Sequence, residues 1–110
     1  MSKILTLSDI ITKAQRLRAS DIHIVCGIPI RVRVDGKLHN LDTNVMTAED
    51  CESYARDLSS NYEVIAHIGE QDLALGFPDG TRCRVNLFRQ QGYVSAAIRI
   101  LNNQDRKSVV

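Results

Sequence analysis

The sequence predicts an α+β domain, a largely antiparallel sheet with helices packed on one face. Three observations predict it. Apolar and polar residues alternate at a period of two around residues 30–34, 82–88 and 94–100, the signature of half-buried strands. Two other stretches carry apolar residues at helical spacing: Leu7, Ile10, Ile11, Ala14 and Leu17, then Cys51, Tyr54, Ala55 and Leu58. Short turn signals, Asp35-Gly36 and Gln90-Gln91-Gly92, join consecutive strands, so hairpins and not crossovers dominate.

The elements follow in order. Thr6 can cap a first helix with Asp9 three residues on, and Leu5 with Ile10 forms a hydrophobic staple. Ala19-Ser20-Asp21 stops that helix and opens a strand over residues 22–26, which Gly27 breaks. From Pro29 the chain re-enters a strand in which Ile30, Val32 and Val34 oppose Arg31 and Arg33. Asp35-Gly36 then turns it; a three-residue loop with a bulge, setting Leu38 opposite Val34, keeps one face apolar and is the expected geometry, with a short third strand over residues 37–40. Thr47 and Asp50 repeat the capping box for a second helix, stapled by Met46 and Cys51. Ser60 and Glu63 open a shorter third helix with Tyr62, Val64, Ile65 and Ile68 as its buried side and Gly69 at its end. A strand over residues 70–77 and a turn at Pro78-Asp79-Gly80 lead into the last hairpin.

That hairpin carries the first functional clue. With Gln90 and Gln91 as its loop, Leu87 meets Val94, Val85 meets Ala96 and Cys83 meets Ile98, a consistent apolar face. The same register sets Arg82 opposite Arg99, with Arg84 one step along, and like charges in that arrangement destabilise a sheet. Two readings follow. The guanidinium groups splay into solvent or pair with carboxylates from elsewhere, or an anion belongs over the face. Planar, permanently charged forks suit bidentate contact with phosphate.

Composition bounds what else is possible. At 110 residues the chain has one small core, and a net charge of +1 excludes bulk electrostatic attraction to nucleic acid or a membrane surface. No apolar run is long enough to span a bilayer, so direct membrane insertion is not expected and a cytoplasmic location is. Cys26, Cys51 and Cys83 are odd in number, widely spaced and set among apolar residues, which reads as reduced core thiols; the thiol at Cys83 is expected to be inert despite Arg82 and Arg84 beside it. His23, His39 and His67 lie in three different elements, giving no metal site. Asp21 and His23 share a face; a structural link at the helix-to-strand corner is the favoured reading. No Gly-x-x-x-x-Gly-Lys-Ser/Thr cradles a phosphate, so a nucleotide engaged by the arginines is held mainly by another domain or subunit.

Five stretches then occur in a recognisable order: Ala19-Ser20-Asp21-Ile22-His23-Ile24; Ile30-Arg31-Val32-Arg33-Val34-Asp35-Gly36-Lys37-Leu38; Gly69-Glu70-Gln71-Asp72-Leu73; Arg82-Cys83-Arg84-Val85-Asn86-Leu87-Phe88-Arg89-Gln90; and Ile98-Arg99-Ile100. Together they resemble the N-terminal domain of the secretion and type IV pilus ATPases, nearest the twitching-motility retraction type, over residues 5–101. The resemblance implies a PAS-like fold, a hexameric motor, and a RecA-like ATPase domain of the same or the adjacent subunit as partner. It implies ATP and Mg²⁺ only in company with that domain, no cofactor bound by this chain alone, and a peripheral place at the inner membrane through a platform protein. It also implies that arginines reach the nucleotide edge: Arg84 matches the family's Arg-x-Asn-like strand motif, which ends on Asn86, Arg82 the basic residue before it, and Arg99 the arginine leading to the linker. Asp21, His23, Asp35 and Gly36 fall within its structural motifs.

The chain departs from the pattern after residue 101. Residues 102–110 show no period and replace a proline-containing linker, and the ATPase domain does not follow, so this polypeptide is not expected to hydrolyse ATP by itself. The alternative is a stand-alone PAS-like adaptor or sensor binding a protein or small ligand. A sensor needs an interior cavity, whereas a motor part needs an exposed basic surface.

Overall fold

The computed structural model describes residues 5–59, 63–77, 80–90 and 92–101. Their order is α1 (Leu7–Arg16), β1 (Asp21–Ile24), β2 (Pro29–Val34), β3 (Lys37–Val45), α2 (Ala48–Leu58), α3 (Glu63–Ile68), β4 (Glu70–Gly76), β5 (Arg82–Gln90) and β6 (Tyr93–Leu101). Six strands form one sheet in the order β3-β2-β1-β6-β5-β4, with every neighbouring pair antiparallel. The α+β expectation is met.

Local chemistry builds the first two helices as the sequence predicts. Thr6 and Asp9 close a capping box on α1, with Asp9 N donating to Thr6 Oγ1 at 3.1 Å and Thr6 N to Asp9 Oδ2 at 3.3 Å. Thr47 and Asp50 do the same for α2, both bonds being 3.1 Å. Each box satisfies two backbone donors that helix geometry leaves unpaired. At the end of α1, Arg18 N donates to Gln15 O and Ala19 N to Ala14 O, a Schellman closure that puts Arg18 at φ 62°. The chain therefore swings away after Arg16, and Leu17, expected in the apolar stripe, is 48% exposed.

The helices bury Ile10, Ile11, Ala14, Cys51, Tyr54, Ala55, Leu58 and Ile65 against one face of the sheet, where Ile22, Ile24, Val32, Val85, Leu87 and Ile98 meet them. Each fully buried aliphatic side chain there contributes about 1.5–3 kcal/mol. Cys51 and Cys83 lie in this core and Cys26 at its margin, all three as thiols, with Cys83 1% exposed. Ile68 departs from expectation: it is 72% exposed at the last turn of α3, just before Gly69 at φ 91° reverses the chain. The capping residues 60–62, Tyr62 with them, the turn residues 78 and 79, and the tail 102–110 lie outside the described residues.

Both hairpin registers differ from the expected ones. Between β2 and β3 the turn has two residues, with Arg33 opposite Leu38 and Val34 opposite Lys37. Asp35 at φ 54° and Gly36 at φ 79° give the left-handed pair that matches strand twist, a stronger constraint than keeping Leu38 inside. Leu38 is 39% exposed as a result. β3 also runs to Val45, not Asn40, because an irregularity between Pro29/Arg31 and Val45/Asn40 absorbs extra residues and pairing then resumes. In the β5–β6 hairpin Gln90 itself pairs with Tyr93, and Gly92 at φ 89° lies in the turn, so the register moves by two. Leu87 meets Ala96, Val85 meets Ile98 and Cys83 meets Ile100. The apolar face survives because a shift of two preserves side-chain parity.

Candidate functional site: an arginine row on the open sheet face

The face of the sheet away from the helices holds side chains in rows that run across the strands, two of them over all six. One row reads Leu38, Arg33, Asp21, Arg99, Arg84, Ala74 from β3 to β4. The next reads Asn40, Arg31, His23, Ala97, Asn86, Asp72. A third, over β6, β5 and β4, reads Ser95, Phe88, Glu70. An open groove of about 580 Å³ lies over the first two rows, lined by Asp21, His23, Arg33, Arg84, Asn86, Arg99 and Asp72 with Ala97.

The register places Arg84, not Arg82, directly opposite Arg99. Arg82 faces Leu101 and Gly76, beyond the residues that line the groove. Of the three arginines expected together, the structure brings two together and sets the third to one side.

The first reading of the arginine face, pairing with carboxylates from elsewhere, holds in part. A carboxylate from another strand does reach it: Arg99 Nε donates to Asp21 Oδ1 at 3.3 Å. Asp21 also pairs with Arg33, whose Nε lies 3.5 Å from Oδ2. Arg84 makes no hydrogen bond or ion pair with any described residue. The row thus carries three arginines against one aspartate.

Asp21 and His23 share the face as expected, but no hydrogen bond joins them. The corner is fixed instead by Ser20, whose N donates to Arg33 O and whose O accepts from Ile100 N, both at 2.9 Å, while its Oγ donates to Asp21 Oδ2 at 3.1 Å. Asn86 is held by acids on the edge strand: its Nδ2 donates to Asp72 Oδ1 at 2.7 Å and to Glu70 Oε2 at 3.4 Å. Asp35 and Gly36 serve as the β2–β3 turn, away from the groove lining. Sequence reasoning missed Arg33 and Asp72 as groove residues. Parity put Arg33 on this face, but nothing local showed that β1 sits between β2 and β6. No cluster of potential metal ligands occurs among the described residues.

No protein-family model and no curated protein sequence matches the chain. Solved structures do: the chain has the fold of a domain found in a pilus retraction motor and in DotB ATPases. The match to the crystal structure of the pilus retraction motor PilT with bound ADP has a TM-score of 0.82 and 32% sequence identity, and covers 91% of this chain and 30% of that one. The ATPase DotB of Legionella pneumophila matches at TM-score 0.74 and 22% identity, over 87% of this chain and 28% of that one. DotB of Yersinia pseudotuberculosis matches at 0.71 and 22%, over 86% and 29%. The DotB likenesses show the fold; the PilT match adds sequence likeness, and the chain is similar to an N-terminal domain of the PilT/GspE-type ATPases, as its five motifs predict. It spans less than a third of the length of each of these proteins. No helix among the described residues is long and apolar enough to cross a membrane.

Proposed function

We propose that this chain is the N-terminal module of a hexameric type IV pilus or type II secretion motor, and that its open sheet face packs on a RecA-like ATPase domain of its own or an adjacent subunit. There Arg84 and Arg99 meet the phosphate edge of a nucleotide whose ATP and Mg²⁺ are held by the ATPase domain. The observation that carries this reading is the Arg84–Arg99 pair over an open groove. Two guanidinium groups opposed across neighbouring strands destabilise the sheet unless an anion lies between them, and Arg84 has no such partner among the described residues. The fold shared with a pilus retraction motor that binds ADP supports phosphate as that anion. Rotation of the module against the ATPase domain then passes the hydrolytic cycle to an inner-membrane platform protein, with the motor in the cytoplasm. Retraction is the direction that the PilT likeness favours.

The test is stimulation in trans. The ATPase domain of a PilT-like motor is assayed alone and with this chain, as wild type and as Arg82→Ala, Arg84→Ala and Arg99→Ala. The expected result is a gain in turnover that Arg84→Ala or Arg99→Ala cuts about tenfold, equivalent to about 1.4 kcal/mol of transition-state stabilisation, with a smaller effect of Arg82→Ala. Equal stimulation by all three variants would reduce the arginines to surface charge. A chain that neither binds nor stimulates would favour the adaptor.

A further inference from the structure

Asp21 occupies the centre of the arginine row, and its setting is unusual for a carboxylate on an open face. Its side chain is 16% exposed, between Arg33 at 40% and Arg99 at 70%. Both oxygens are engaged, Oδ1 by Arg99 Nε, and Oδ2 by Ser20 Oγ and the neighbouring Arg33 Nε. Arg33 is tied a second time, its Nη1 donating to Gly36 O at 3.3 Å. Arg99 is not: it is held through Nε alone, and its two terminal nitrogens hydrogen-bond to no described residue. Those nitrogens form an edge of the guanidinium fork suited to a phosphate or carboxylate. Directly opposite stands Arg84, also without a partner among the described residues.

We propose that Asp21 is a positioning residue. By gripping Arg99 at Nε it fixes that side chain on the row and leaves the terminal fork free, so that Arg99 and Arg84 form one receptor for a single phosphate group. This rests on the reading of the arginine face given above and adds to it the residue that sets the receptor's geometry. The carboxylate has two opposed effects on an incoming anion. Its charge repels the anion, whereas its grip on Arg99 spares the anion the work of ordering a long side chain. Ordering such a side chain is worth about three- to tenfold in affinity. The two effects have opposite signs, and a cycle of variants separates them.

The experiment titrates the full 110-residue chain with inorganic pyrophosphate, read by backbone and arginine Nε–H NMR shifts, with spectral dispersion reporting that each variant is folded. Asp21→Asn is expected to weaken binding about threefold in the wild-type background and to leave it unchanged or tighter in an Arg99→Ala background. Asp21→Glu keeps the charge but lengthens the side chain by a methylene, and is expected to weaken binding as well. If Asp21→Asn tightens binding by the same factor in both backgrounds, or if Asp21→Glu binds like wild type, Asp21 acts through charge alone and the positioning role is overturned. In those cases weaker binding by Arg84→Ala and Arg99→Ala would still uphold the arginine receptor. No pyrophosphate shift in the wild type, or identical shifts with Arg84→Ala and Arg99→Ala, would overturn this proposal, whereas the phosphate reading itself falls only if the stimulation in trans is also indifferent to Arg84→Ala and Arg99→Ala.

Discussion

Replacing Arg84 with glutamine should stabilise the chain. Arg84 lies directly opposite Arg99 on adjacent antiparallel strands and is exposed. Directly opposed like charges disfavour a strand pair by about 0.2–1 kcal/mol, and two unit charges about 7 Å apart in water repel by about 0.6 kcal/mol. Because Arg84 has no compensating partner among the described residues, Arg84→Gln removes only repulsion. A gain of about 0.5 kcal/mol corresponds to a rise of about 2–4 °C in Tm for a domain of this size. Arg99→Gln relieves the same repulsion but loses the bond to Asp21, an exposed pair worth about 0–1 kcal/mol, so its net effect is near zero or slightly unfavourable. Thermal unfolding followed by circular dichroism, at about 10 mM and about 500 mM salt, reads the difference. The Arg84→Gln gain should shrink at high salt, where the screening length falls to a few ångströms. A lower Tm for Arg84→Gln, or a gain indifferent to salt, would refute the reasoning, because either result means that Arg84 does not stand in unrelieved repulsion.

Two further predictions concern the core and its caps. Arg18→Gly should stabilise the chain by about 0.5–1 kcal/mol, since a left-handed conformation disfavours a non-glycine residue by about 1–2 kcal/mol while glycine's unfolded-state entropy returns about 0.5–1 kcal/mol; Arg18→Ala, which keeps the strain at φ 62°, should show no gain in urea unfolding. Alkaline pH should unfold the chain steeply. Burial pushes the Cys51 thiol from 9.0 up to about 12, with Cys26 and Asp50 adding to it, and burial with the Asp50 carboxylate raises the Tyr54 hydroxyl from 10.0 to about 12. Both groups keep their protons in the folded chain after the unfolded chain has released them. Their contribution is therefore intact below about pH 9, and stability is lost as pH rises from there to about 12, with a slope reaching about 2.7 kcal/mol per pH unit once both titrate. Cys51→Ala should remove about half of that slope between pH 10 and 11 in urea midpoints, and an unchanged slope would count against it.

What the sequence revealed and what it hid divides by range. The capping boxes at Thr6/Asp9 and Thr47/Asp50 were legible because every atom involved lies within three residues. The parity of β5 and β6 was legible for the same reason, so the right residues fell on the right face even though their partners were off by two. The turns misled because two criteria competed. At Asp35-Gly36 an apolar face for Leu38 was weighed against turn geometry, and turn geometry won. In the site, Arg84 and Arg99 were visible as a pair of strand arginines. The carboxylate between Arg99 and Arg33 was not visible as their partner, because the β1–β6 contact joins residues 78 positions apart and has no local signal. Asp72 under Asn86 was hidden for the same reason, because residues 14 positions apart meet there only through the β4–β5 register.

The charge pattern also bears on how a partner reaches this face. The whole chain carries a formal charge of only +1, whereas the row Arg33, Asp21, Arg99, Arg84 carries three positive charges and one negative. A field so local fades within about 10 Å at moderate salt, so it does not gather anions from a distance as a strongly basic protein does. Recognition of the proposed partner would then come from contact, and contact needs apolar area as well as charge. The open face supplies it at its margins. Leu38 ends the arginine row at 39% exposure, and Leu101, opposite Arg82, is 37% exposed. A flat partner lying across the strands buries both leucines while placing its anion over Arg84 and Arg99, an arrangement of apolar contact and arginine anchors typical of protein interfaces. A free nucleotide engages the arginines but leaves the leucines in water. On this argument the face suits a nucleotide carried on a protein surface better than a nucleotide in solution, which is what the proposed packing on an ATPase domain would require.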